Sequence, residues 1–229
     1  MRIVVVTWNM GYWQYRGQHS EAWKFLRDCI GPDIALLQET RPPSLNSNEG
    51  IILGEIHQGW GTAIFLRDFQ ANSAIEFSRY PNRTVATSIR LPSGKAVIVA
   101  SIHAPIIQGR VFPHLAEIFD DIKDKVAGES CIVGGDLNSA RLAEKVWPNH
   151  GHGPFFERLD ESWLVDCRKK FHLEEIQTVF RPNQQYPFQD DHIFVSKDLA
   201  EKVVGYEALN TQETRRVSDH VPVIVQFEI

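Results

Sequence analysis

Short runs of Val, Ile, Leu and Phe recur through this chain, as at 3–8 (IVVVTW), 131–134 (CIVG) and 221–227 (VPVIVQF). A strand with one wet face alternates apolar and polar residues, so near-continuous runs of this length are strands buried on both faces. They predict strands over 3–8, 34–38, 62–66, 74–77, 84–91, 95–102, 131–134, 193–196, 203–209 and 221–227. Pro92-Ser93-Gly94 supplies hairpin turn chemistry. The periodicity changes over 112–126, where Leu115, Ile118, Phe119, Ile122 and Val126 form one stripe of a helix, with Gly128 past its end. A second helix is predicted over 21–30, with Ser20 as N-cap and Gly31-Pro32 as stop. Helical stretches are expected near 142–146 and 155–159, and a surface connection over 41–50. Many doubly buried strands with few helices require two packed sheets covered outside by helices, an α/β sandwich. Val4, Val6, Leu36, Val97, Val99, Ile132, Val133, Ile193, Val195, Val223 and Val225 should be buried in two facing sheets. With no repeat or linker in view, the 229 residues read as one domain over 1–229.

Charge bounds the partners. Twenty-four Lys+Arg against 29 Asp+Glu leave −5, with no lysine run. Holding long duplexes by phosphate neutralisation takes a basic surface, so contact with nucleic acid should be local. No run of 18 uncharged apolar residues is present, so no membrane span is expected. The first residues read as a strand and not as a signal peptide. Three cysteines, Cys29, Cys131 and Cys167, share no spacing motif, which disfavours disulfides and predicts a cytoplasmic protein. A monomer is expected.

Polar residues stand where six apolar runs begin or end: Asn9 in WNMG, Glu39 in LLQET, His103 in IHAP, Asp136 and Asn138 in GGDLNS, Asp191 in DDHIFVS, and Asp219-His220 in SDHVPV. Taken singly each is weak, since an Asn after a strand is commonly a turn former and a lone His commonly a structural one. An Asp and an Asn at i and i+2 on extended backbone would point to one side. Gathered at one sheet edge, the six places would supply an oxygen-rich site suited to a hard cation, Mg²⁺ or Mn²⁺, with two histidines for proton transfer and charge stabilisation.

The order and wording of these motifs resemble the endonuclease/exonuclease/phosphatase superfamily over essentially the whole chain. The resemblance implies a four-layer α/β/β/α sandwich of two mixed sheets and metal-dependent phosphoester hydrolysis by direct attack of water. By position it implies Asn9, Glu39 and Asp219 as metal ligands, with Asp136 and Asn138 placing water and phosphate. It implies His220 as the proton-transfer histidine and Asp191 as the carboxylate that orients it. His103 is similar to the second histidine of the deoxyribonuclease-like and phosphatase branches, which the abasic-site repair branch lacks. Arg83, just before a central strand, resembles a phosphate-contacting arginine of the family. One departure stands out: the residue before the family's aspartate is usually apolar, and here it is Asp190.

The residue types allow either Asp136 or His220 to deprotonate water. A metal-dependent phosphodiesterase acting on short or single-stranded nucleic acid is the first reading, and the same chemistry on a small-molecule or lipid phosphoester is the second. A non-catalytic module is disfavoured, because it has no reason to keep buried like charges. Tyr12, Trp13 and Tyr15 are candidates to stack a base, Arg215 and Arg216 to meet phosphate. The stretch 147–153 resembles a flexible specificity loop, and a zinc site at His150 and His152 is not favoured.

Overall fold

The computed structural model describes every residue of the chain except Ser78, Arg110, Ala127 and Asn183. Twelve strands form two mixed six-stranded sheets. The first sheet comprises β1 (Arg2–Asn9), β2 (Ile34–Thr40), β3 (Glu49–Leu53), β4 (Gly61–Arg67), β11 (Val203–Ala208) and β12 (Val223–Glu228), in the order β11-β12-β1-β2-β4-β3. The second comprises β5 (Ala71–Ile75), β6 (Thr84–Arg90), β7 (Ala96–His103), β8 (Cys131–Asp136), β9 (Leu164–Asp166) and β10 (Asp191–Ser196), in the order β5-β6-β7-β8-β10-β9.

Three apolar layers hold the sandwich. Leu36, Val97, Val99, Ile132, Ile193, Val195, Val223 and Val225 pack between the sheets. Val6 and Val133 are buried as expected, on the outer faces of their sheets. Val6 packs with Trp23 and Leu26, and Val133 with Leu115, Phe119 and Phe155. The reason is the two-residue period of a strand covered on both sides: neighbours in one run serve different layers. Val4, also on an outer face, is only half-buried.

The helices that cover these faces are α1 (His19–Phe25) on the first sheet and α2 (His114–Val126), α3 (Arg141–Val146) and α4 (His152–Asp160) around the second. Ser20 does not cap α1, which begins at His19 after an uncapped Gln18. The helix passes into a π-helical turn, Leu26–Ile30, and Gly31 ends it in the left-handed conformation at φ +62°, its N–H donating to Leu26 O. Several features escaped the pattern. Glu49–Leu53 is a strand partly inside the expected loop, while β9, the 3-10 turn Cys167–Phe171 and the short helices α5 (Lys197–Ala200) and α6 (Gln212–Val217) are too brief to show a period.

Candidate active site

Strand direction collects the motifs at one edge. β1 and β2 run parallel, as do β7 and β8, so Asn9, Glu39, His103 and Asp136 all arrive at C-terminal strand ends. β10 and β12 run antiparallel to β8 and β1, so the starts of those strands reach the same edge, with Asp191 opposite Asp136 in register and His103 opposite Asp136 on the other side. Glycine makes this row possible. A Cβ on Gly135 would lie 1.8 Å from Ile102 O, and one on Gly134 2.6 Å from His192 O.

Local backbone then aims each group. The β2–β4 pairing shifts register between Leu37 and Thr40, and inside that bulge Glu39 takes φ +47°. Asn138 takes the same φ of +47°. Its N–H donates to Asp136 Oδ1 at 2.8 Å and its side-chain amide to Ala104 O at 2.9 Å. The Asp136–Asn138 pair is therefore joined by a turn folded on the aspartate side chain, not by the extended backbone expected from their spacing. Left-handed backbone costs a non-glycine residue roughly 1–2 kcal/mol, and here it falls on two site residues. Asn9 ties the sheets together, its Nδ2 donating to Asp136 Oδ2 at 2.9 Å while its Oδ1 accepts from Gly11 N at 3.0 Å. Ser218 locks the last motif in place: its hydroxyl donates to Asn9 O at 2.8 Å and accepts from His220 N at 3.0 Å.

The two histidines are held in different states. His220 donates from Nδ1 to Asp191 Oδ2 at 2.8 Å, and its Nε2 faces Asp136 Oδ2 at 3.9 Å. Burial opposes charge on this ring, but Asp191 and Asp136 prevail and raise its pKa to about 10. Below that pH the imidazole already holds its second proton. Around His103 burial dominates and depresses the pKa to about 4, with Asp136 opposing and Arg83 assisting. Arg83 Nη1 lies 3.0 Å from His103 Nδ1. A guanidinium only donates, so Nδ1 accepts and the ring proton sits on Nε2, 3.6 Å from Glu39 Oε1 and 3.8 Å from Asp136 Oδ2.

The carboxylates are crowded. Burial, then Asp136, raises Glu39 to about 7, Asp219 adding to the effect. Asp136 is held below the ordinary range although it is 1% exposed, because His220 and His103 outweigh its burial. Glu39, Asp136 and Asp219 line one cavity of about 450 Å³ with Asn138, His103, His220 and Arg83. Asp136, Asp191 and His220 also present ligand atoms within 4.8 Å of one another. The carboxylates of Glu39, Asp136 and Asp219 facing one cavity ask for a cation, and the oxygen donors offered by Asn9, Glu39 and Asp219 fit a hard divalent ion.

Several lining residues carry no motif. Trp60 packs 5.6 Å from the His103 ring with Arg83 over its face at 5.8 Å. Arg181 Nε lies 3.6 Å from Asp219 Oδ2. It is carried there by a short β-bridge of Val179 with His220, and its own sequence surroundings gave no signal. Of the three rim aromatics, Trp13 faces the cavity and is 58% exposed, whereas Tyr12 is buried against His19. Arg215 and Arg216 do not line it: the first lies over Phe180 and the second pairs with Glu21.

A model of the Endonuclease/Exonuclease/phosphatase family matches residues 6–220. The chain belongs to this family. It is a phosphoesterase of the divalent-metal-dependent type, built on the family's four-layer sandwich. A 3′ phosphatase from Neisseria bound to a product DNA hairpin superposes with a TM-score of 0.75 at 18% identity, covering 99% of this chain and 100% of that one. An AP endonuclease from Leishmania major gives 0.78 at 14%, covering 100% and 88%. One from Archaeoglobus fulgidus gives 0.73 at 18%, covering 99% and 100%. Identities this low establish the shared fold and do not choose a branch. No curated sequence matches the chain.

Proposed function

We propose that this phosphoesterase is a Mg²⁺- or Mn²⁺-dependent phosphodiesterase that cleaves short or single-stranded nucleic acid. The observation that carries the reading is one cavity lined by Glu39, Asp136, Asp219, His103 and His220, the last held from behind by buried Asp191, with the exposed Trp13 at its rim. The net charge of −5 favours a locally held strand over a long duplex. The DNA-bound Neisseria relative supports a nucleic-acid substrate by fold analogy.

Asn9, Glu39 and Asp219 would hold the metal. The ion would neutralise charge on the phosphoryl oxygens and lower the pKa of a bound water. Asp136 accepts the proton of the attacking water, because His220 is already protonated at neutral pH and cannot. His220, oriented by Asp191, then presents its Nε2–H to the developing charge. His103 offers its Nε2–H to a second phosphoryl oxygen, with Arg83 fixing the tautomer and adding positive charge. Asn138 shapes the floor on which the phosphate lies.

A panel of short DNA, RNA, a dinucleotide, a phosphomonoester and a phospholipid, each with and without Mg²⁺, tests the reading. Metal-dependent cleavage of the oligonucleotides and dinucleotide supports it. Turnover confined to the phosphomonoester or the lipid would overturn it.

A further inference from the structure

A second chamber of about 700 Å³ adjoins the catalytic cavity, and Ile106, Asn138 and Arg181 line both. Its walls differ from those of its neighbour. Trp147, 46% exposed, lies 5.1 Å from the Phe188 ring, and Tyr186 lies 5.8 Å from it. Aromatic faces of this kind take a nucleobase by stacking.

Two charged side chains line this aromatic chamber, Arg181 and Asp190. Asp190 is 8% exposed, and among the described residues its carboxyl has no hydrogen-bond partner. Its backbone is fully used: the N–H donates to Thr178 Oγ1 at 3.0 Å and the carbonyl accepts from Leu137 N at 2.8 Å. Its oxygens open onto the chamber, where they are free to accept a donor from a ligand. The residue stands beside Asp191, whose register partner is Asp136, so it marks the end of the chamber next to the reacting phosphate. In a nucleotide whose O3′ carries that phosphate, the nearest hydrogen-bond donor is the vicinal 2′-hydroxyl. The donors of the base lie beyond the glycosidic bond, toward the aromatic walls. The position is also the one at which the family pattern has an apolar residue.

The geometry points to Asp190 as a specificity-determining carboxyl that accepts a hydrogen bond from the 2′-hydroxyl of a nucleoside stacked in this chamber. The enzyme then prefers ribonucleotide to deoxyribonucleotide strands. This inference rests on the nucleic-acid reading given above. It does not depend on the charge of Asp190, since a carboxyl keeps an acceptor oxygen in either form.

The test is kcat/KM of the Mg²⁺-loaded full chain on three matched short oligoadenylates with 2′-hydroxyl, 2′-deoxy and 2′-fluoro sugars. Fluorine nearly preserves size and removes the donor. Wild type should favour the hydroxyl substrate by up to about tenfold over both others, the scale of one hydrogen bond. Asp190→Leu should bring that ratio close to one, and Asp190→Asn should keep part of it through the amide oxygen. Because the ratio is taken within each variant, loss of folded protein cancels from it. A wild-type ratio near one, or a ratio that survives in Asp190→Leu, overturns the inference while leaving the nuclease reading intact. Failure to cleave any of the three oligomers removes both.

Discussion

The cavity proposed for catalysis and the chamber proposed for recognition share Ile106, Asn138 and Arg181 but differ in physical character. In the cavity, Glu39, Asp136 and Asp219 crowd negative charge together, and groups are held in fixed protonation states by short-range partners. In the chamber, Trp147, Tyr186 and Phe188 offer polarizable area, with Asp190 and Arg181 in the lining. Chemistry needs charges whose positions are fixed before the substrate arrives, which is why the cavity is built on strand ends, a bulge and an inter-sheet hydrogen bond from Asn9. Recognition needs complementary surface, which loops and short helices supply. Two of the three chamber aromatics, Tyr186 and Phe188, belong to no helix or strand, and Trp147 lies just past the end of α3.

If this division holds, changes in the cavity act on turnover and those in the chamber on substrate affinity. The largest effect should come from metal removal. EDTA should take hydrolysis to background, Mg²⁺ or Mn²⁺ should restore it, and Glu39→Gln should raise the metal concentration needed. Full activity in chelator would end the assignment. Next, His220→Ala should lower kcat by about 10²–10⁴-fold, the range for a positioned acid–base group, in steady-state assays at saturating substrate. Asp191→Asn should also damage kcat, since an amide favours the wrong tautomer on His220 Nδ1. Trp147→Ala should instead raise KM by about tenfold at nearly constant kcat, the lower part of the range for one base stack. A comparable loss in kcat would erase the distinction between the two regions.

The pH profile sharpens it further. Glu39 is raised to about 7, so below that pH protons compete with the metal for its carboxylate. Metal affinity from titration calorimetry should therefore fall by about tenfold per pH unit on the acid side and level off above pH 7. His220 contributes in the opposite sense to alkaline stability. Its folded pKa of about 10 lies above that of a free imidazole, so its stabilisation is complete below about pH 6.5 and is lost as pH rises through 10. Melting of the chelated protein should follow that decline. The smallest effect belongs to Arg216→Ala. Its exposed pair with Glu21 lies outside both cavities, so KM should stay constant and stability should change by less than about 1 kcal/mol.

The chemistry was far more legible in the sequence than the recognition surface. Asn9, Glu39, Asp136, Asp191 and His220 stand at the ends of apolar runs, so a pattern of burial followed by polarity marks each one. Trp60, Arg181, Tyr186 and Phe188 sit in stretches with no period and no motif, whereas Trp147 opens the stretch 147–153 read from the sequence as a specificity loop. Arg215 and Arg216 show the converse: closeness in sequence to Asp219 did not mean closeness in space, because α6 turns both away.

Apolar runs, turn residues and glycines determined by themselves that this chain forms strands buried on both faces. The dipeptide Gly134-Gly135 let β8 pass between neighbours that leave no space for a side chain. Which layer each buried residue serves was settled only on packing, as Val6 and Val133 show, because alternation along a strand does not say which face meets the other sheet. The protonation states of His103 and His220 were likewise a tertiary result. Both are imidazoles next to strand ends in the sequence. Arg83 beside one and Asp191 beside the other separate them, since a pKa depends on burial and on charges within a few ångströms that only folding brings together.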